Sequence, residues 1–134
     1  MKDRMYIYDT SAFYELIKTK KLDTDYFIID LTFYEIGNVL WKHCNLLKKK
    51  TEFCKKDLEN IFNVLQNWER VIRIYPFDMK SILNIAINNK ITFYDSAYIY
   101  LAKKYSLGLL TCDKKLYKIS KKEKIKSVLI KPIE

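Results

Sequence analysis

Two rhythms of apolar and polar positions run through this chain. Met5 to Tyr8 is a short apolar run ending in Asp9-Thr10-Ser11, which predicts a buried strand followed by a helix start. Ala12, Phe13, Leu16 and Ile17 then recur at helical spacing until the basic stretch Lys18 to Lys21. From Asp30 a longer helix is predicted, with Ile36, Val39, Leu40, His43 and Leu47 on one face and Lys48-Lys49-Lys50 closing it. A further amphipathic helix is expected from Phe53 to Glu69, with Leu58, Ile61, Phe62, Leu65 and Trp68 inward. Val71 to Tyr75 is β-branched and aromatic and is stopped by Pro76, which reads as a strand.

The second half continues the alternation. Asp78 to Asn88 and Thr92 to Tyr105 read as helices, the latter with Tyr94, Ala97, Tyr98, Leu101 and Ala102 as an apolar stripe. Gly108 to Cys112 is a predicted strand, Lys114 to Ser120 a short helix, and Ser127 to Ile130 a last strand. Strands alternating with helices predict an α/β sandwich with a largely parallel sheet. The 134 residues show no repeat, low-complexity segment or internal linker, so one domain spanning 1–134 is expected.

Composition narrows the chemistry. Two glycines leave no room for a glycine-rich phosphate loop. The three cysteines, Cys44, Cys54 and Cys112, are scattered and offer neither a disulfide framework nor a zinc knuckle. His43 is the single histidine and is expected to pack or to be solvated. No signal peptide and no apolar run of membrane-spanning length is seen, so a cytoplasmic chain that does not insert in membranes is expected. Any catalysis here falls to carboxylates.

Four of these stand out. Asp9 and Asp113 each follow a predicted strand and precede a helix, and in a parallel sheet such strand ends share the edge where ligands bind. Glu35 and Asp95 each end the same local pattern, Thr32-Phe33-Tyr34-Glu35 and Thr92-Phe93-Tyr94-Asp95, in the first turn of a helix. Helix capping accounts for each acid taken singly, because Asp is a good N-cap and both Thr-x-x-acid patterns fit a capping box. As a set they imply repulsion in a shared cleft, which a divalent cation relieves. Mg²⁺ and Mn²⁺ favour such oxygen ligands and serve phosphoryl chemistry without a side-chain nucleophile.

The formal net charge is +9. With four acids confined to one pocket, twelve remain elsewhere against 25 basic residues, a basic frame suited to a polyanion. Lys114 and Lys115, beside Asp113, are the first candidates for contact with such a polyanion.

Asp9-Thr10-Ser11, Glu35-Ile36-Gly37-Asn38, Phe93 to Tyr98 and the Thr-x-Asp-x-x-Leu of Thr111 to Leu116 together resemble the PIN-domain nucleases, above all the archaeal VapC-type toxins. The resemblance spans nearly the whole chain. It implies a three-layer α/β/α sandwich and a Mg²⁺- or Mn²⁺-dependent endoribonuclease, the toxin of a type II toxin–antitoxin pair. Asp9, Glu35, Asp95 and Asp113 match the family's catalytic and metal-binding acids, while Ser11, Asn38 and Thr111 match its supporting polar residues. A cognate antitoxin and a homodimer are implied partners. Ser96 departs from the alanine more usual after the third acid. Two other readings compete: a catalytically silent PIN-fold module that binds RNA or regulates, and a haloacid-dehalogenase-type phosphatase. The latter needs an acid two positions after Asp9, where Ser11 stands.

Overall fold

The computed structural model describes residues 4–45 and 51–132, with residues 51–54 described by backbone alone. The basic turn Lys48-Lys49-Lys50 lies outside the described residues. The elements are β1 (Tyr6–Tyr8), α1 (Thr10–Lys18), β2 (Ile28–Ile29), α2 (Leu31–Asn45), α3 (Thr51–Gln66), β3 (Val71–Ile72), α4 (Met79–Asn89), α5 (Phe93–Lys104), β4 (Gly108–Thr111), α6 (Lys114–Lys122) and β5 (Ser127–Leu129). A single 3-10 turn, Pro76–Asp78, leads into α4.

All described strand pairs are parallel. β1, β4 and β5 form one sheet in that order, and β2 pairs with β3. A parallel bridge between Ile7 and Phe27 joins the two, giving the order β3-β2-β1-β4-β5. The order reverses between β1 and β4, the kind of switch point where ligands bind in open parallel sheets.

Strand alternation sorts the core into two layers. Ile7, Ile29 and Leu109 face one way, against Ile82, Ala97, Leu101 and Leu116 from α4, α5 and α6. Tyr8, Ile28 and Leu110 face the other, against Phe13, Ile36, Leu40, Ile61 and Leu65 from α1, α2 and α3. Helices therefore cover both faces, which is the expected α/β/α sandwich. Each fully buried aliphatic or aromatic side chain contributes about 1.5–3 kcal/mol. Gly108 is required where β4 enters between its neighbours: a Cβ there would stand 2.5 Å from the Tyr6 ring and 2.8 Å from the Lys126 carbonyl oxygen.

Several details differ from expectation. β2 is a strand that periodicity did not reveal; two residues, both fully buried, are too short to show alternation. The Val71 strand covers only Val71–Ile72. Leu58 and Phe62 are exposed, because α3 turns Ile61 and Leu65 to the core and carries a second apolar stripe outward. Cys44 is disulfide-bonded, although an odd cysteine count did not suggest it, and Cys112 is free. His43 packs edge-on against the Tyr14 ring at 5.7 Å. No described helix is long and apolar enough to cross a membrane.

The 3-10 turn is fastened to α5 by a buried charge. Asp78, fully buried, accepts hydrogen bonds from Lys104 Nζ (2.9 Å), Tyr100 OH (2.8 Å) and the Tyr75 amide (2.9 Å). Burial alone would raise its pKa, but these hydrogen bonds outweigh burial and hold it below the ordinary value. Lys104→Ala should lower the midpoint of chemical denaturation, though by less than breaking a fully buried pair, because Lys104 is partly exposed and two donors to Asp78 survive. An unchanged denaturation midpoint would show that Lys104 holds nothing in place.

Candidate active site

At the carboxyl edge of the sheet, β1 delivers Asp9 and β4 delivers Asp113. Both cap the helix that follows. Asp9 Oδ1 accepts the Ala12 amide at 2.8 Å, and Asp113 Oδ1 accepts the amides of Lys115 and Leu116 at 2.8 and 3.2 Å. Capping and catalysis are thus not exclusive: capping engages one Asp113 oxygen, and Oδ2 accepts no hydrogen bond among the described residues.

Ser11 and Thr111 stitch the two strand ends together. Ser11 Oγ donates to Asp9 Oδ1 at 2.7 Å and accepts the Cys112 amide at 3.0 Å. Thr111 Oγ1 donates to Asp9 Oδ2 and accepts the Asp113 amide at 3.0 Å. Asp9 is only 4% exposed. Burial raises its pKa to about 6 against the lowering pull of Thr111, Ala12 and Ser11, and the charge of Asp95 pushes it the same way as burial.

Asp95 approaches from the first turn of α5 as expected, whereas Glu35 lies beyond the first turn of α2, which holds no acid because α2 already begins at Leu31. The two matching tetrapeptides behave differently. Thr92 caps α5, its Oγ1 accepting the Asp95 amide at 3.1 Å. Thr32 lies inside α2, fully buried, with Oγ1 3.2 Å from Tyr98 OH, so the capping box expected there does not form. Tyr98 OH and Thr10 Oγ1 each stand 2.7 Å from Glu35 Oε1 and 2.8 Å from each other. Burial first, then the Glu35 charge, raise the Tyr98 pKa far above its ordinary value. Tyr98 therefore stays a protonated donor that fixes one Glu35 oxygen, leaving Oε2 without a hydrogen bond among the described residues.

Asp9, Glu35, Asp95 and Asp113 line one cavity of about 590 Å³, together with Ser11 and Asn38. Burial, then Asp113, then Glu35 raise the Asp95 pKa, and Thr92 and Lys115 oppose them. None of the four acids forms an ion pair among the described residues. No three acidic, histidine or cysteine residues among those described stand together as a ready-made metal cage. Mutual repulsion acts to hold unneutralised carboxylates apart.

Lys114 and Lys115 are exposed beside the cavity and are not part of its wall. The wall residues that sequence reasoning missed include Thr10, Tyr34, Lys42, Tyr94 and Tyr98. Lys42 falls seven residues after Glu35 on α2, a spacing that returns to the same face and could have found it. Tyr34 and Tyr94 immediately precede the two helix-borne acids in the repeated tetrapeptide.

No family model matches the chain. Among curated proteins it is similar to Exonuclease VapC9 of Pyrobaculum aerophilum, 32% identical over 115 residues, covering 83% of this chain and 82% of that one. It is also similar to Ribonuclease VapC3 of the same organism, 29% identical over 90 residues and covering 66% of each. Among solved structures it is similar to the crystal structure of PAE2754 from Pyrobaculum aerophilum, with a TM-score of 0.75, 29% identity, and coverage of 87% of this chain and 86% of that one. With this fold, this order of elements and these relatives, the chain belongs to the VapC-like family of PIN-domain proteins.

Proposed function

We propose that this chain is a Mg²⁺- or Mn²⁺-dependent endoribonuclease of the cytoplasm, the toxin of a type II toxin–antitoxin pair. One observation carries the reading: four carboxylates line a single cavity with no cationic side chain paired to any of them among the described residues. A chain with 25 basic residues has left this charge unneutralised at the switch point of its sheet. The donor set suits a hard divalent cation, with Asp9, Glu35, Asp95 and Asp113 as its holders. Bound there, the ion would supply Lewis acidity for attack of water on a phosphodiester.

The chain's own residues do the arranging. Ser11 and Thr111 orient Asp9, and Tyr98 and Thr10 orient Glu35. Asn38 offers an uncharged amide on the cavity wall, and Lys42 a cation for substrate phosphate. Lys114 and Lys115 extend that positive rim. The names of VapC9 and VapC3 support nucleic-acid cleavage as the reaction. Self-association belongs to the same reading, supported by Met79, Leu83 and Ile87, which recur every fourth residue on α4 and are all exposed. The antitoxin partner rests on family membership.

A circular single-stranded RNA tests the reading, because only an endonuclease can open it. The purified chain should linearise the circle in Mn²⁺ or Mg²⁺ and stop when the ion is chelated. Degradation of linear RNA with the circle left intact would make the chain an exonuclease. Cleavage that persists in chelator would remove the metal from the account.

A further inference from the structure

The acid cavity has an aromatic rim that no step above uses. Tyr34 and Tyr94 both line it, each directly before one of its acids. Tyr34 is 78% exposed, the highest value among the described large apolar residues, and Tyr94 is 55% exposed. Neither hydroxyl makes a hydrogen bond among the described residues, and the Tyr34 ring has no aromatic neighbour there. An aromatic ring left bare in water loses the burial that would otherwise reward it, so two such rings on one cavity call for an occupant.

We infer that Tyr34 and Tyr94 are stacking platforms for unpaired bases next to the phosphodiester held at Asp9, Glu35, Asp95 and Asp113. The inference rests on the proposed function and assigns two base-contacting residues to it. Three observations favour bases over a protein surface. Both tyrosines share the wall of one cavity of about 590 Å³ with the carboxylates. Lys42 lies on the same wall, giving the mixture of cation and aromatic that single-stranded nucleic acid selects. The chain's net charge of +9 attracts a polyanion as a whole. A duplex keeps its bases stacked on each other and could not offer them to either ring.

The test measures binding without cleavage. Fluorescence anisotropy in calcium buffer, with strand integrity checked on a gel, would compare three probes of equal length: a single-stranded RNA, an abasic strand and the matching duplex. The intact chain should bind the base-bearing single strand most tightly. Tyr34→Leu and Tyr94→Leu should each lower that affinity about 5- to 150-fold, the range for one lost stacked base, and leave abasic binding unchanged. Tyr34→Phe and Tyr94→Phe keep the ring and should retain most of the affinity. Equal binding of all three probes by the intact chain, or leucine variants that match it, would overturn the inference while leaving RNA hydrolysis standing. Leucine variants that alter self-association but not RNA affinity would overturn it too, assigning the rings to a protein interface. Failure to bind any probe would instead strike at the nucleic-acid reading itself.

Discussion

Asp95→Asn should lower metal-dependent RNA hydrolysis by at least about 100-fold, since even substitutions one shell away from a metal cost 10–100-fold. Asp95 is the cleanest of the four acids to change. Thr92, not Asp95, caps α5, and the bond between them uses the Asp95 backbone amide, which asparagine keeps. Asp9 and Asp113 each cap a helix through their own side chains, so substituting them mixes folding with chemistry. The Asp95 pKa is also raised, by burial, then Asp113, then Glu35. A carboxylate with a raised pKa opposes folding at neutral pH, so the metal-free Asp95→Asn protein should be as stable as the parent or slightly more so. Its stabilisation by Mn²⁺ should shrink. Full Mn²⁺-dependent cleavage by the folded variant would end the assignment of this residue.

How much of this could be read from the chain depended on which physical signal carried it. Asp9 and Asp113 were legible because a strand end in a parallel sheet has one possible edge, and chain order alone places both there. Asp95 was legible as a first-turn acid, but the tetrapeptide it shares with Glu35 suggested an equivalence that the fold does not honour, since Glu35 lies beyond the first turn of α2. α5 begins just after Thr92, whereas α2 begins before Thr32 and draws that hydroxyl into the core beside Tyr98. Local pattern could not reveal this, because the difference lies in where β2 ends, and β2 is two residues long.

Tyr98 illustrates a second limit. It sits on the same helical stripe as Ala97 and Leu101, and periodicity marks it as core, which it is. Its hydroxyl nevertheless reaches through the core to Glu35. A period reports which face a residue occupies and is silent about what its last atom touches. The α3 face failed for a related reason: Leu58, Ile61, Phe62 and Leu65 make an apolar arc wider than the contact with the rest of the molecule, and only part of it is covered. Where two stripes compete, the neighbouring elements decide.

Metal-stripped protein should lose stability as pH rises from about 4 to about 6. Asp9 sets the direction. Its pKa in the folded chain, about 6, lies above the ordinary 3.8, so across that window the folded state keeps a proton that the unfolded state has released. Stability falls with pH wherever the folded state binds more protons. A shift of roughly two units in a group only 4% exposed corresponds to about 3 kcal/mol, or on the order of 10 °C in melting temperature for a chain this size. Asp95, raised in the same direction, adds to the slope. Asp78 works oppositely and elsewhere: its lowered pKa contributes stability that is lost only as pH falls below the ordinary value. Its effect therefore leaves the window between 4 and 6 to the site. Asp9→Asn should flatten the melting profile there. A divalent ion at the site favours the unprotonated carboxylates, so the rise in melting temperature produced by Mn²⁺ should be small at pH 5 and grow toward pH 7. A metal-free melting temperature that climbs between pH 4 and 6, or a slope that survives Asp9→Asn, would mean that this buried acid is not held at the cavity in strained, charged form.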